Sequence, residues 1–200
     1  MFDVALRRMV DPALHCLSAG IAKTGVSANI LTIVGAIIGV GAGMCISEGN
    51  FAAGLMLIML NRVMDGLDGA VARINGATEF GGFLDTLADY LFYIAIPVAF
   101  AIWTPYNQLP ALLLVASFTL TAVSFLGFAA IAARRGDAMG AHGPKAFLYS
   151  TGLMEGGETI AFFVLFCLFP GYFPTLALVF AALCVLTVLQ RLFLAAKSFH

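Results

Sequence analysis

Asp65-Gly66-Leu67-Asp68-Gly69-Ala70-Val71-Ala72-Arg73, followed after a short spacer by Gly81-Gly82-Phe83-Leu84-Asp85-Thr86-Leu87-Ala88-Asp89, is the stretch on which the reading of this chain turns. It sets four carboxylates and an arginine in a chain of which 62% is hydrophobic and only 10% charged. Ionised carboxylates are costly in apolar surroundings unless they are paired or bind metal. Asp65 and Asp68 stand three apart, Asp85 and Asp89 four apart. Either spacing puts both members on one face of a helix. Two such helices side by side form a nest of four carboxylates that repel one another without a cation. Hard oxygen ligands of this kind suit magnesium, manganese or calcium.

The pattern Asp-x2-Asp-Gly-x2-Ala-Arg, then Gly-x3-Asp-x3-Asp, resembles the signature of the CDP-alcohol phosphotransferases, membrane enzymes of phospholipid head-group synthesis. All eight fixed positions are present: Asp65, Asp68, Gly69, Ala72, Arg73, Gly81, Asp85 and Asp89. One departure is visible: seven residues separate Arg73 from Gly81, where the family pattern has eight. Gly81 is taken as the motif glycine, because Gly82 leaves only two residues before Asp85.

Composition bounds the rest. Soluble domains carry roughly 25% charged residues; this chain has 10% and a mean hydropathy of +1.00. A polytopic membrane protein is expected, as a single domain over residues 1–200. The net charge of -1 and the lack of a basic run give no reason to expect nucleic acid. The four cysteines share no metal-type spacing. Arg7 and Arg8 are not followed by a long apolar run, so no cleavable signal peptide is expected.

Residues 1–22 mix apolar positions at helical spacing with Asp3, Arg7, Arg8 and Asp11, which predicts an amphipathic surface helix. About 20 helical residues cross the hydrocarbon of a bilayer. Six segments qualify, at about 30–47, 51–73, 83–103, 110–133, 147–169 and 174–195, giving an all-α, six-helix membrane core over 30–195. Ser27 or Asn29 is the expected cap of the first span. The connection between the second and third is expected over Gly76–Gly82. Apart from Arg62, which sits well inside the second span three residues before Asp65, Lys and Arg fall at the chain ends, at span ends and on alternate loops, while residues 47–50, 104–109 and 170–173 contain none. The positive-inside rule then places both termini, and the acidic nest, on the cytoplasmic side of the cell (inner) membrane.

The resemblance implies transfer of a phosphatidyl group from CDP-diacylglycerol to an alcohol, with release of CMP. It implies that Asp65, Asp68, Gly69, Ala72, Arg73 and Gly81 hold the CDP moiety and that Asp89 is the base. Asp65, Asp68, Asp85 and Asp89 would bind two divalent ions, Mg2+ or Mn2+, across the diphosphate. Base and metal-ligand duties compete for Asp89. A homodimer is also implied. Arg134, Arg135 and Lys145 are candidates for gripping a phosphorylated acceptor. Glycerol 3-phosphate is the first expectation, with inositol phosphate and serine as alternatives. Glu155 and Glu158 form a further acidic pair, and His142 sits in a glycine-rich loop.

Other classes are weaker. A structural ion-pair cluster with Arg62 and Arg73 leaves two arginines against four aspartates. A cation-coupled transporter has no need of the glycines and the fixed Ala-Arg. An aspartate-rich membrane prenyltransferase has more helices than 200 residues supply.

Overall fold

The computed structural model describes residues 17–22, 24–134, 154 and 156–198. Within these, the ordered elements are helical: α1 (Ala28–Ser47), α2 (Phe51–Asn75), α3 (Glu79–Trp103), α4 (Gln108–Arg134), α5 (Gly156–Leu168) and α6 (Phe173–Ser198). Short 3-10 turns at Pro105–Asn107 and Pro170–Tyr172 precede α4 and α6. Four stretches are long and apolar enough to cross a membrane: Ala28–Ser47, Glu79–Trp103, Pro105–Ile131 and Pro170–Lys197. α2 is 25 residues long, but its second half carries Arg62, Asp65, Asp68 and Arg73. α5 has 13 residues as described. Residues 17–22 are helical; residues 1–16 of the expected surface helix lie outside the described residues.

One expected boundary needs correction. The α2–α3 connection is only residues 76–78, and Gly81 and Gly82 belong to the first turn of α3. The reason is a cap: the Thr78 hydroxyl accepts the Gly81 N–H at 3.0 Å and satisfies a donor that an uncapped helix leaves orphaned. Gly76, at φ 97, makes the turn in a backbone region open to glycine. At the start of α1, Ser27 is the N-cap by position, yet its side chain makes no cap hydrogen bond; Asn29 already lies within the helix.

α1 packs against both α2 and α3, α4 against α6, and the two groups are joined through α3 with α4 and α2 with α5. Small residues permit the first group. Gly35, Gly39 and Gly43 repeat every fourth position along α1 and let neighbouring helices come close, the way apolar-phase helix pairs gain packing. A Cβ at Gly39 would stand 2.9 Å from Phe92 Cδ2 and 3.2 Å from Asn61 Nδ2. The core between the groups is aromatic instead. Phe92, Phe100, Phe163, Phe166, Phe173 and Phe180 are each almost wholly enclosed. Phe100 stacks on Phe173 at 4.4 Å, and Phe162 on Phe180 at 4.5 Å.

Candidate functional site

The short α2–α3 turn decides where the carboxylates meet. Asp68 lies seven residues before the end of α2 at Asn75, and Asp85 six residues after the start of α3 at Glu79. At ~1.5 Å per residue, both sit ~10 Å from the turn, at matching heights on two helices that each pack against α1. Carboxylate oxygens of Asp65, Asp68 and Asp85 accordingly lie within 4.8 Å of one another, a spacing that one cation could bridge. The all-oxygen donor set fits a hard divalent ion. Asp68 is buried, and its Oδ2 accepts the Thr32 hydroxyl from α1 at 2.6 Å. That bond fixes a carboxylate whose charge burial would otherwise penalise.

Asp89 opens into the same cleft, which is lined also by Gly35, Ala36, Asn61, Arg62 and Ala88. Its partner is Arg62. The Arg62 Nη2 donates to Asp89 Oδ1 at 3.1 Å, and Nη1 lies 3.6 Å from Asp65 Oδ2. Arg62 Nε and Nη2 also donate to Asn61 Oδ1 at 2.9 and 2.6 Å. Asn61 in turn donates its Nδ2 to the Gly35 carbonyl at 2.8 Å. The Phe92 ring lies 4.6 Å from the guanidinium carbon, in cation–π range.

Gly69, Ala72 and Arg73 follow on the last turns of α2, and Gly81 on the first turn of α3, so all six residues expected to hold CDP gather at one end of the helix pair. Arg73 is exposed there. A Cβ at Gly81 would come within 3.0 Å of Thr78 Oγ1 and 3.1 Å of Asn29 Oδ1, so a side chain here would need both neighbours to give by a few tenths of an ångström.

A second cavity, of about 150 Å³, lies between α3, α4, α5 and α6. Tyr90, Tyr93, Phe118, Thr121, Thr159 and Arg191 are among its lining residues. Arg191 Nη1 donates to the Thr121 carbonyl at 3.0 Å and to Ser124 Oγ at 3.2 Å. Tyr93 stands between the two cavities: it lines this one, and its ring centre is 6.0 Å from the Arg62 guanidinium. Sequence reasoning passed over Arg191 as a charge at a helix end. Its one visible signal was an arginine followed by only six residues of helix to Lys197, and that does not tell a cavity wall from a topological charge. Of the candidates for the acceptor, Arg134 is exposed in the last turn of α4. Arg135, Lys145, His142 and Glu155 lie outside the described residues, and Glu158 is half-buried in the first turn of α5.

Known proteins resemble this chain at two levels. The sequence model of the CDP-alcohol phosphatidyltransferase family matches residues 25–197. The inner membrane protein YnjF of Escherichia coli is 42% identical over 202 residues, covering 99% of this chain and 98% of its own. An archaetidylinositol phosphate synthase of Methanothermobacter thermautotrophicus is 32% identical over 91 residues, 45% of this chain and 43% of its own. In fold, the chain is similar to phosphatidylinositol phosphate synthase of Mycobacterium tuberculosis solved with CDP-DAG bound. The TM-score is 0.67 at 23% identity, covering 90% of this chain and 92% of that one. The same synthase has been solved with manganese and citrate, with a TM-score of 0.66.

Proposed function

This chain belongs to the CDP-alcohol phosphatidyltransferase family, and from that membership we propose that it moves a phosphatidyl group from CDP-diacylglycerol to a small phosphorylated alcohol. The observation that carries the reading is the pair of adjoining cavities, one acidic and one bearing Arg191, with Asp89 and its sequence neighbour Tyr90 opening into one each. Asp65, Asp68 and Asp85 would hold divalent metal, Mg2+ or Mn2+, which when bound neutralises the donor diphosphate and the charge growing on departing CMP. Gly69, Ala72, Arg73 and Gly81 hold the CDP moiety at the turn end of α2 and α3. Arg191 draws the acceptor's phosphate into the second cavity. Asp89 takes the proton of the acceptor hydroxyl. That oxygen attacks the lipid-side phosphorus, the bond from phosphorus to the bridging oxygen breaks, and CMP leaves with the electron pair.

Glycerol 3-phosphate is the acceptor we favour, as the smaller of the two phosphorylated alcohols considered. Inositol phosphate is the second reading, supported by the archaetidylinositol phosphate synthase among the relatives. The proposal extends to a single domain over residues 1–200 with six spans, α2 and a longer α5 joining the four apolar stretches. Both termini and the acidic cleft then face the cytoplasm of the inner membrane, where the loop charges put them. It includes a homodimer, as in the family resemblance, which light scattering in detergent would test. The function is tested by offering purified protein CDP-diacylglycerol with glycerol 3-phosphate, inositol phosphate, serine and glycerol in turn. CMP release with a phosphorylated alcohol supports the reading; release only with serine or glycerol overturns the role of Arg191.

A further inference from the structure

We propose that Tyr93 is a specificity-determining residue of the second cavity, whose hydroxyl hydrogen-bonds the middle hydroxyl of glycerol 3-phosphate. The chain then selects a phosphorylated alcohol that carries a second, non-reacting hydroxyl beside the one that reacts. The proposal rests on the acceptor reading above and narrows it to a phosphorylated vicinal diol.

Position carries the argument. Tyr93 follows Asp89 by four residues on α3, so the two side chains leave the helix on one side, one turn apart. Toward Asp89, the Tyr93 ring centre is 6.0 Å from the Arg62 guanidinium, whose Nη2 holds Asp89 Oδ1. On its other side, Tyr93 lines the cavity that Arg191 also lines. An acceptor with its phosphate at Arg191 and its reacting hydroxyl at Asp89 runs past Tyr93 with the carbon that joins the two ends. In glycerol 3-phosphate that carbon bears the middle hydroxyl.

The ring of Tyr93 is fixed, and its hydroxyl is uncommitted. The rings of Tyr90 on α3, Phe118 on α4 and Phe163 on α5 lie 6.0, 6.4 and 6.3 Å from it. No described residue hydrogen-bonds the hydroxyl, although tyrosine O–H groups withdrawn from water usually find a partner. The hydroxyl oxygen lies 3.6 Å from where a Cβ on Gly156 would stand, and Gly156 lines the same cavity with no side chain to cover it. A phenylalanine would make the same ring contacts, so packing alone does not call for the hydroxyl. A phenol held at its ring can donate to an alcohol or accept from it, with little rotamer freedom left to lose.

The test compares glycerol 3-phosphate with its 2-deoxy analogue, by CMP release from CDP-diacylglycerol with the purified full-length protein. The wild type should prefer glycerol 3-phosphate by ~10–100-fold in kcat/KM, because the analogue leaves the Tyr93 hydroxyl unsatisfied. Tyr93→Phe keeps the ring and should cut that preference to within ~3-fold, through loss with glycerol 3-phosphate and little change with the analogue. Arg191→Ala should weaken both acceptors, since both carry the phosphate, and keep the preference. If Tyr93→Phe fails to fold, Gly156→Val, which sets a branched side chain against the same hydroxyl, should lower the preference in its place. Equal use of the two acceptors by the wild type would overturn the proposal and leave the phosphatidyltransferase reading intact. A folded Tyr93→Phe that slows both acceptors alike, as a packing role would make it, would also overturn it. No CMP release by the wild type with either acceptor would overturn the choice of glycerol 3-phosphate and the proposal with it.

Discussion

Around the acidic cleft the helices approach until a backbone meets a side chain; around the second cavity, aromatic rings hold them apart. On the first side, Gly39 lies against Phe92 and Asn61, and Thr32 of α1 reaches Asp68 of α2. On the second, Tyr90, Tyr93, Phe118 and Phe125 border an opening of about 150 Å³. Close packing fixes charged groups to fractions of an ångström, which suits a diphosphate and its ion. A roomier, aromatic-walled space tolerates changes of ligand, which suits a family whose acceptors differ.

The contrast breaks most sharply at Asp89. Asp89→Asn keeps the shape but cannot take a proton, and general-base assistance is worth ~10²–10⁴ in rate. CMP release should fall by that factor while a CDP-lipid analogue still binds in isothermal titration. Activity within a few-fold of wild type would remove Asp89 as the base. The next effect belongs to the second cavity. Arg191→Ala should raise the acceptor KM by ~10–100-fold, from a charge-assisted hydrogen bond of ~1.5–3 kcal/mol, and leave the donor KM nearly unchanged. Arg134→Ala, at an exposed helix end, should move the acceptor KM less; the reverse order would relocate the acceptor to the end of α4.

The smallest effects concern packing. In Gly39→Ala the new methyl meets a ring that is 1% exposed, and overpacking of this kind costs ~1–3 kcal/mol. Thermal unfolding in detergent should show a lower Tm. Gly127→Ala on α4 has nothing within 4 Å of its new Cβ, and trading glycine for alanine inside a helix gains ~0.5–1 kcal/mol. Its Tm should hold or rise. Equal losses in the two variants would erase the distinction between a tight and a loose side.

The acidic cleft was legible in the sequence because buried charge is rare: four aspartates at helical spacing have few explanations in an apolar chain. Their convergence needed the two spacings, a short turn and a shared packing partner in α1. The turn itself was placed too long, because Gly81 and Gly82 look like helix breakers, and the Thr78 cap that starts α3 before them is a hydrogen bond, not a composition. Arg62 was visible as an arginine inside an expected span, three residues before Asp65, but its hold on Asp89, 27 residues away, depends on how α2 and α3 are rotated. The second cavity was illegible for a plainer reason. Tyr90, Phe118, Thr121 and Cys184 are ordinary core residues one at a time, and only their failure to fill the space between α3, α4 and α6 makes a cavity.

The most direct test of the central claim, that the aspartate cleft receives the donor diphosphate through a divalent ion, is a titration of a CDP-lipid analogue into the chelator-treated protein. With Mg2+ or Mn2+ restored, the wild type should bind; in chelator it should not, and Asp68→Asn should lose most of the metal-dependent part. Equal binding by the wild type with and without metal would contradict the account.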